Sequence, residues 1–375
     1  MARSSRSRKR AAKKVKFGLP MKITVGSVIV VVIVEAGLFF AFGAPSTNWG
    51  IVAPLLVLLV GLAGIFSYMF SLSITKPLKQ VIKDISALAD GNYKIRTRVR
   101  SDDEVGVLAQ SVNELAESLE SAEHSVQAVE EEMNLASEIQ TMLLPDRNPK
   151  IPTLDIYPFY EPAGELGGDY YDFIPVSPEH LGIIIADVSG KGITGSMVMG
   201  LFRNTLRRFA EGNTSTSEVL IKTNEHLSKD IPRGMFVTAY YVLYHIPTNE
   251  ITFSCAGHTK MVLYRATSGS IELVKPNGMA LGFDTGMVFN RSIQEPKMKL
   301  RTGDRIVLYT DGVIEAVNRR GDMFGENRLF RFVKDYSDLS SKEFLMELRE
   351  ELDEFRSGAE PNDDVTLVTL EVLEK

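Results

Sequence analysis

The chain has 375 residues, 44% of them hydrophobic, and a formal net charge of -6. Residues 1–22 contain nine Lys or Arg and no acid, so the rest of the chain is strongly acidic. An acidic body argues against nucleic acid as a partner, because duplex binding needs a clustered basic face. The single cysteine, Cys255, excludes an intramolecular disulfide and is typical of a reducing compartment.

Two apolar stretches predict a membrane anchor. Residues 23–44 and 51–74 are each about as long as a transmembrane helix, and residues 45–50 leave only a short external loop between them. The length of the first stretch argues against a cleaved signal peptide. Because Lys and Arg lie in the basic tail 1–22 and again after the second stretch, we expect a multi-pass protein of the cell membrane. Both termini and the whole C-terminal half of the chain would then be cytoplasmic.

The segment that follows the second apolar stretch has three features in a fixed order. They are a proline in Thr75–Leu78, a glycine-containing break at Asp90–Asn92 and an acidic helix start at Asp103–Leu108. This order resembles a HAMP domain, which we assign to residues 75–123. The resemblance implies a module that relays signals.

An apolar heptad pattern continues beyond this module. Its positions are Leu108, Val112, Leu115, Leu119, Ala122, Val126, Val129, Met133, Ala136 and Leu143, with Gln140 as the polar member. The pattern predicts a coiled-coil linker helix over residues 124–149 and a parallel homodimer. Periodicity alone does not name the partner, so a helix that packs on its own catalytic domain is the alternative. Leu144–Pro145 ends the helix, because proline cannot continue it.

The pattern changes to short β-rich stretches over residues 150–375. The predicted strands are Leu154–Tyr160, Leu181–Asp187, Phe236–His245, Ile251–Ala256, Arg305–Tyr309 and Val365–Val372. The predicted helices are Gly195–Ala210, Ser217–Lys229 and Ser341–Phe355. Such alternation is typical of a layered α/β domain.

Aspartates cluster in four glycine-rich or polar turns next to these strands. The turns are Gly167–Asp172, Ala186–Gly192, Thr310–Gly312 and Asn362–Thr366. Carboxylates without matching His or Cys indicate hard divalent cations held by oxygen. Gathered carboxylates also need countercharge, and a metal pair supplies it while activating a water molecule against a phosphate ester.

The ordered set of motifs resembles the metal-dependent protein phosphatases of type 2C, in their bacterial SpoIIE/RsbU-like branch, over residues 135–373. The matching segments are Ile139–Pro145, Glu165–Asp172, Ala186–Gly192, Phe236–Ala239, Cys255–His258, Leu281–Gly282, Leu308–Ala316, Phe324–Gly325 and Asp363–Leu367. The resemblance implies two stacked antiparallel sheets flanked by helices, an αββα sandwich. It also implies a serine/threonine phosphatase whose phosphoprotein substrate is an anti-sigma-factor antagonist.

The resemblance further implies a site with two Mn²⁺ or Mg²⁺ ions. In it, Asp187 bridges both ions beside the Val188 carbonyl, Asp169 binds the second ion, and Asp311 and Asp363 close the first. Asp187, Asp311 and Asp169 would then act through metal-bound water. Regulation would pass from the HAMP domain through the linker to these turns.

Four further residues are weaker candidates. Asp364 ranks below Asp363 as a ligand, and Asp172 is an outer or third-metal contact. Lys191 and His258 are candidates for substrate binding. A solvated lysine and a structural histidine are the alternatives for these two.

Three other functions stay open at this point. The Gly167–Tyr171 segment superficially resembles the active-site hairpin of a diguanylate cyclase, although the acidic residue after its aspartate is missing. His124 would be the phosphoacceptor of a histidine kinase, but no nucleotide-binding boxes follow. A catalytically weak phosphatase-like scaffold that binds a signalling partner is the third alternative.

Overall fold

The computed structural model describes residues 19–41, 49–99 and 104–374. The chain divides into two compact units, Met1–Val129 and Glu130–Lys375. Three long helices come first in the chain: α1 (Leu19–Ala41), α2 (Trp49–Ala89) and α3 (Glu104–Thr141).

The two apolar stretches are helical where they are described. The second does not end at residue 74, because α2 continues through Pro77 to Ala89. Among the helices within the described ranges, none has both the length and the apolar character needed to cross a membrane. The prediction of two transmembrane helices at 23–44 and 51–74 is therefore not confirmed.

The end of α2 and the start of α3 form a small helical module. Val81 of α2 is fully buried in an apolar cluster with Ala109 and Val112 of α3. The connector between the helices is fixed to α3 by Asn113, whose side chain accepts from the Thr97 amide at 2.7 Å and donates to the Thr97 carbonyl at 3.1 Å. The predicted two-helix module with a glycine-containing break between its helices is thus present.

Two antiparallel five-stranded sheets form the frame of the second unit. The strands are β1 (Leu154–Glu161), β2 (Tyr170–Ser177), β3 (His180–Val188), β4 (Val237–His245), β5 (Glu250–Ala256), β6 (Met261–Arg265), β7 (Ser270–Val274), β8 (Lys297–Lys299), β9 (Arg305–Tyr309) and β10 (Val365–Val372). The first sheet has the order β1-β10-β9-β6-β7 and the second has the order β2-β3-β4-β5-β8. Every pairing between neighbouring strands is antiparallel.

Helices cover the outer faces of both sheets. They are α4 (Gly192–Ala210), α5 (Thr216–Asp230), α6 (Met287–Ser292), α7 (Asp311–Ile314), α8 (Glu326–Asp335) and α9 (Ser341–Arg356). Helices α4 and α5 share an apolar core with the second sheet, and α8 and α9 share one with the first. The predicted αββα sandwich is confirmed.

Strand β3 shows why a continuous apolar run folds as a central strand. Ile183 and Ile185 face the core between the two sheets, whereas Ile184 and Ala186 face α4 and α5. Side chains alternate between the faces of a strand, so both faces of β3 must be apolar. This burial fixes the register and therefore the position of Asp187 at the end of β3.

The last turn of α3 packs on the catalytic unit. Gln140 is buried there; its Nε2 donates to the Gly167 carbonyl at 2.5 Å, and its Oε1 accepts from the Gly167 amide at 3.2 Å. Leu143 contributes to the core shared by α4 and α5. The expectation that Gln140 and Leu143 continue a coiled-coil seam is corrected, because a buried amide needs hydrogen-bond partners and finds them in its own domain.

Candidate active site

Strand pairing brings the four acidic turns to one end of the sandwich. In the second sheet, Tyr170 lies opposite Ala186, which places Asp169 beside Asp187. In the first sheet, antiparallel pairing of β9 with β10 brings Asp311, just after one strand, close to Asp363, just before the other. Each sheet therefore contributes two predicted site residues to the same edge.

Asp169 links the two sheets. Its side chain is only 2% exposed, and its Oδ2 accepts from the Thr310 hydroxyl at 2.7 Å and the Thr366 hydroxyl at 2.5 Å. Both threonines belong to the first sheet's edge, whereas Asp169 precedes β2 of the second. Both threonines lie within acidic turns of the sequence, but no motif indicated that they hold Asp169.

The carboxyl groups raise one another's pKa. Burial and then the charge of Asp187 raise the pKa of Asp169 well above its usual range. Burial, followed by Asp311 and Asp363, raises the pKa of Asp187 to about 7, and burial with Asp363 raises that of Asp311. Neighbouring carboxylates cannot all ionise cheaply without positive charge close by. The arrangement therefore favours a bound cation.

Asp187 lies between two cavities. It lines a cavity of about 220 Å³ together with Asp311 and His258. It also lines a cavity of about 110 Å³ together with Val188 and Asp363. A residue that faces both spaces is in the position required of a bridging ligand, and the assignment of Asp169, Asp187, Val188, Asp311 and Asp363 as metal ligands stays a prediction.

The donor atoms suit a hard cation. Within the part of the chain that the structure describes, no three Asp, Glu, His or Cys side chains are grouped closely enough to hold a metal by themselves. Mg²⁺ normally retains several waters and takes only one or two protein carboxylates. Paired carboxylates and the Val188 carbonyl, all oxygen donors, therefore fit Mg²⁺ or Mn²⁺ in chemical type.

Asp364 shapes the loop that carries Asp169. Its Oδ2 accepts from the Gly168 amide at 2.6 Å and the Asp169 amide at 3.4 Å. Its Oδ1 accepts from the Ala163 amide at 2.8 Å. Both oxygens are thus occupied by the backbone, which agrees with ranking Asp364 below Asp363 as a ligand.

Asp172 lies between β2 and α4. Its carboxylate is buried and accepts from Arg207 Nη1 at 2.5 Å, from the Phe173 amide at 2.8 Å and from the Tyr170 hydroxyl. These contacts hold α4 on the second sheet. These donors occupy its oxygens, and the role of Asp172 as an outer or third-metal contact stays a prediction.

Lys191 and His258 both lie close to the acidic turns. Lys191 Nζ donates to the Asn362 carbonyl at 2.7 Å and lies 3.4 Å from Asp363 Oδ1. His258 is 3% exposed, and its Nδ1 lies 2.8 Å from the Thr238 hydroxyl. Burial lowers the pKa of His258 to about 3, so its ring is neutral at physiological pH. This favours the structural alternative for His258, because a buried, neutral ring does not attract a phosphate group by charge.

Two glycines are required by the turns themselves. Gly190, in the turn after Asp187, has a φ of +98°, a backbone conformation that side chains with a Cβ rarely adopt. Gly312 lies so close to the Asp364 carbonyl that a Cβ would overlap its oxygen. These contacts hold the Asp187 and Asp311 turns against their neighbours.

Comparison with known families identifies both units. Residues 177–373 match the family described as stage II sporulation protein E (SpoIIE), and residues 69–121 match the HAMP domain. Phosphoserine phosphatase RsbU of Bacillus subtilis (strain 168) is 28% identical over 244 residues, which cover 65% of this chain and 71% of RsbU. Protein IcfG of Synechocystis is 27% identical over 353 residues, 84% of this chain and 54% of IcfG.

Solved structures share the fold of the catalytic unit. The SiaA-PP2C domain of Pseudomonas aeruginosa has a TM-score of 0.59 and 19% identity, and the match covers 66% of this chain and 98% of that one. The RsbU and RsbW domains of Rv1364c from Mycobacterium tuberculosis have a TM-score of 0.50 and 26% identity. Here the match covers 60% of this chain and 61% of that one.

Proposed function

Because the chain belongs to the SpoIIE family of PP2C-type serine/threonine phosphatases and carries a HAMP domain, we propose that it dephosphorylates a phosphoprotein in a partner-switching pathway. The observation that carries the proposal is that Asp187 of one sheet shares one cavity with Asp311 and another with Asp363 of the other sheet. Asp169, next to it, accepts hydrogen bonds from Thr310 and Thr366 of that other sheet. The family match argues against the diguanylate cyclase and histidine kinase alternatives.

Two Mn²⁺ or Mg²⁺ ions would be held by the four aspartates and the Val188 carbonyl. When bound, such ions supply an activated water and neutralise the charge of a phosphoryl group. Asp187 lines both cavities, one together with Asp311 and the other together with Asp363. Thr310 and Thr366 hold the Asp169 carboxylate in place, and Asp364 holds the backbone of its loop.

The proposed substrate is a phosphorylated anti-sigma-factor antagonist. Two relatives, RsbU and RsbP of Bacillus subtilis, are named phosphoserine phosphatases, and a solved relative joins an RsbU domain to an RsbW domain. The test incubates the chain with phosphorylated antagonist proteins and Mn²⁺ and measures loss of phosphate. Hydrolysis of p-nitrophenyl phosphate without release of phosphate from any antagonist would contradict the substrate but keep the enzyme class.

The proposed regulation passes from the HAMP domain through α3 to the acidic turns. Support comes from Gln140, which bonds both backbone groups of Gly167, two residues before Asp169. A shift of the last turn of α3 would move Gly167 and, with it, the loop that carries Asp169. Two positions of α3 would then give the site two different affinities for metal. Replacement Gln140→Leu should change the Mn²⁺ concentration needed for half-maximal activity. The matched replacement Gln127→Leu, at an exposed position of α3, should not.

We also propose dimerisation through α3. Leu115, Val126 and Val129 occupy heptad positions and are exposed in the single chain, as the seam of a coiled coil would be before pairing. Cys255 is buried, so a cysteine introduced by Val126→Cys would report on this contact alone. Rapid disulfide formation between two chains is expected. Absence of the crosslink, with normal reactivity of the new thiol, would contradict the dimer.

Attachment to the cell membrane, with both termini and the catalytic domain in the cytoplasm, is proposed from the apolar stretches at 23–44 and 51–74. The basic segments before and after them support this orientation. Fractionation should then find the chain in membranes and resistant to extraction at high salt. Recovery in the supernatant after a salt or carbonate wash would contradict the proposal.

A further inference from the structure

The larger cavity beside the site is lined by two lysines as well as by carboxylates. Asp187 and Asp311 line it at the predicted metal site, and Lys260, Lys275 and Glu326 line it as well. The cavity therefore joins the predicted site of phosphate hydrolysis to a pair of lysines. The sequence analysis assigned no role to these lysines or to Glu326.

The two lysines differ in how their charge is balanced. Lys260 Nζ lies 2.8 and 2.9 Å from the two carboxylate oxygens of Glu326, the first residue of α8. Lys275 is exposed, and no ion pair with it is found among the residues that the structure describes. Among the described residues that line this cavity, Lys275 is therefore the lysine without an ion-pair partner.

The position of Lys275 suits binding of a substrate residue next to the phosphorylated one rather than binding of the phosphate. A phosphorylated side chain must reach the space between Asp187 and Asp311 to be hydrolysed. The residues next to it in the substrate stay nearer to solvent, where Lys275 lies exposed. A carboxylate on a neighbouring substrate residue would meet an unpaired ammonium group there.

We propose that Lys275 is a specificity-determining residue that binds an acidic side chain next to the phosphorylated residue of the substrate. Glu326 limits this preference, because it neutralises Lys260 in the same cavity. The proposal rests on the proposed function and adds a substrate class to it, namely acidic phosphopeptide segments.

The test compares two synthetic phosphoserine peptides that differ only in Glu or Gln on both sides of the phosphoserine. The full chain with Mn²⁺ should show a kcat/KM about 3- to 5-fold higher for the Glu peptide, the size expected of an exposed charge pair. The difference should lie in KM and shrink with added salt, because exposed charges are screened within about 10 Å at 0.1 M ionic strength.

Three variants sharpen the test. Lys275→Ala should bring the ratio of the two kcat/KM values close to one, and Lys275→Glu should invert it. Glu326→Gln should raise the ratio, since it frees Lys260. Lys342→Ala removes an equally exposed lysine in the first turn of α9 and should leave the ratio unchanged.

Two outcomes would count against different claims. Equal turnover of the two peptides by the full chain, or an unchanged preference in Lys275→Ala, would overturn the role of Lys275 and leave the proposed phosphatase function intact. Failure to dephosphorylate either peptide, with p-nitrophenyl phosphate still hydrolysed, would contradict the proposed action on phosphoserine.

Discussion

Two clusters of buried charge in the catalytic unit are balanced in opposite ways. Arg305 is fully buried in the first sheet, yet its guanidinium donates to Glu371 Oε2 at 2.6 Å and to the hydroxyls of Ser341 and Thr369 at 3.3 Å. Its charge also lies over the ring of Phe344, 4.9 Å from the ring centroid. This cation has almost a complete set of partners within the protein.

The acidic cluster at the end of the sandwich has no such balance. Burial, followed by the charges of Asp311 and Asp363, raises the pKa of Asp187 to about 7. Lys191, which lies next to Asp363, is mainly exposed to solvent. The contrast separates structural from functional charge. Charges that the protein balances with its own groups are part of the fold. Charges without such partners cost stability until a ligand of opposite charge binds.

The replacement Asp187→Asn should have the largest effect of the changes that test this contrast. We expect kcat on p-nitrophenyl phosphate with Mn²⁺ to fall by about 10³-fold or more, as for a group that acts mainly in the transition state. The unfolding temperature in EDTA should hold or rise, because one of several like charges is gone. Asp335→Asn, at an exposed position of α8, serves as the control. Retained turnover with a lower unfolding temperature would reverse the assignment.

Replacement of Arg305 by Met tests the balanced cluster. It leaves Glu371 and several buried acceptors without their donor, so we expect a loss of about 3 kcal/mol in the free energy of unfolding. The second change Glu371→Gln should restore part of this loss. Urea unfolding followed by circular dichroism measures both, with Arg331→Met as an exposed control. Turnover by the folded fraction should stay near that of the unsubstituted chain. Loss of turnover without loss of stability would instead show that Arg305 is needed for activity.

His258 is a third kind of buried group, one kept neutral. Its pKa is about 3 in the folded chain and about 6.5 when unfolded, so the unfolded state binds the proton first as pH falls. Acidification from pH 7.5 to 5 should therefore cost about 2 kcal/mol of stability through this group. His258→Gln should lack that part of the pH dependence, whereas His226→Gln, at an exposed position, should keep it. Urea midpoints at the two pH values decide the matter.

Asp364 combines features of the balanced and the unbalanced charges. It adjoins the acidic site, but backbone amides balance its charge. Asp364→Ala should weaken Mn²⁺ binding about tenfold, the scale typical of a residue that orients a ligand without touching the metal. Calorimetric titration of Mn²⁺ and the concentration for half-maximal activity should agree. Glu360→Ala removes a nearby exposed carboxylate as a control. Complete loss of binding would instead make Asp364 a direct ligand.

Much of the fold was predictable because its strands are apolar runs bounded by turns. The six predicted strands and three predicted helices of the catalytic unit are all present, with bounds shifted by at most a few residues. Strand β2 was missed, since Pro175 interrupts its pattern, and β7 was missed because its residues are mostly exposed. Helix α8 was also missed, although the spacing of Leu329, Phe332 and Val333 is typical of a helix face.

The charged residues of the site were predictable, but the residues that hold them by hydrogen bonds were not. The four aspartates lie in turns that a single sequence reveals, whereas their partners depend on contacts between distant segments. Thr310 and Thr366 are 141 and 197 residues away from Asp169 in the chain. The role of Gln140 was misread for the same reason, because its heptad position gives no sign of Gly167, 27 residues further on. Long-range hydrogen bonds leave no periodic signal.

The order of the first sheet has a consequence for synthesis of the protein. Strand β10, the last of the chain, lies between β1 and β9 rather than at an edge, and Asp363 and Thr366 arrive with it. Until this strand has been synthesised, β1 and β9 lack the neighbour that joins them, and Asp169 lacks the hydroxyl of Thr366. A chain truncated before residue 363 would keep Asp169, Asp187 and Asp311 but would lack Asp363 and the strand that joins β1 to β9.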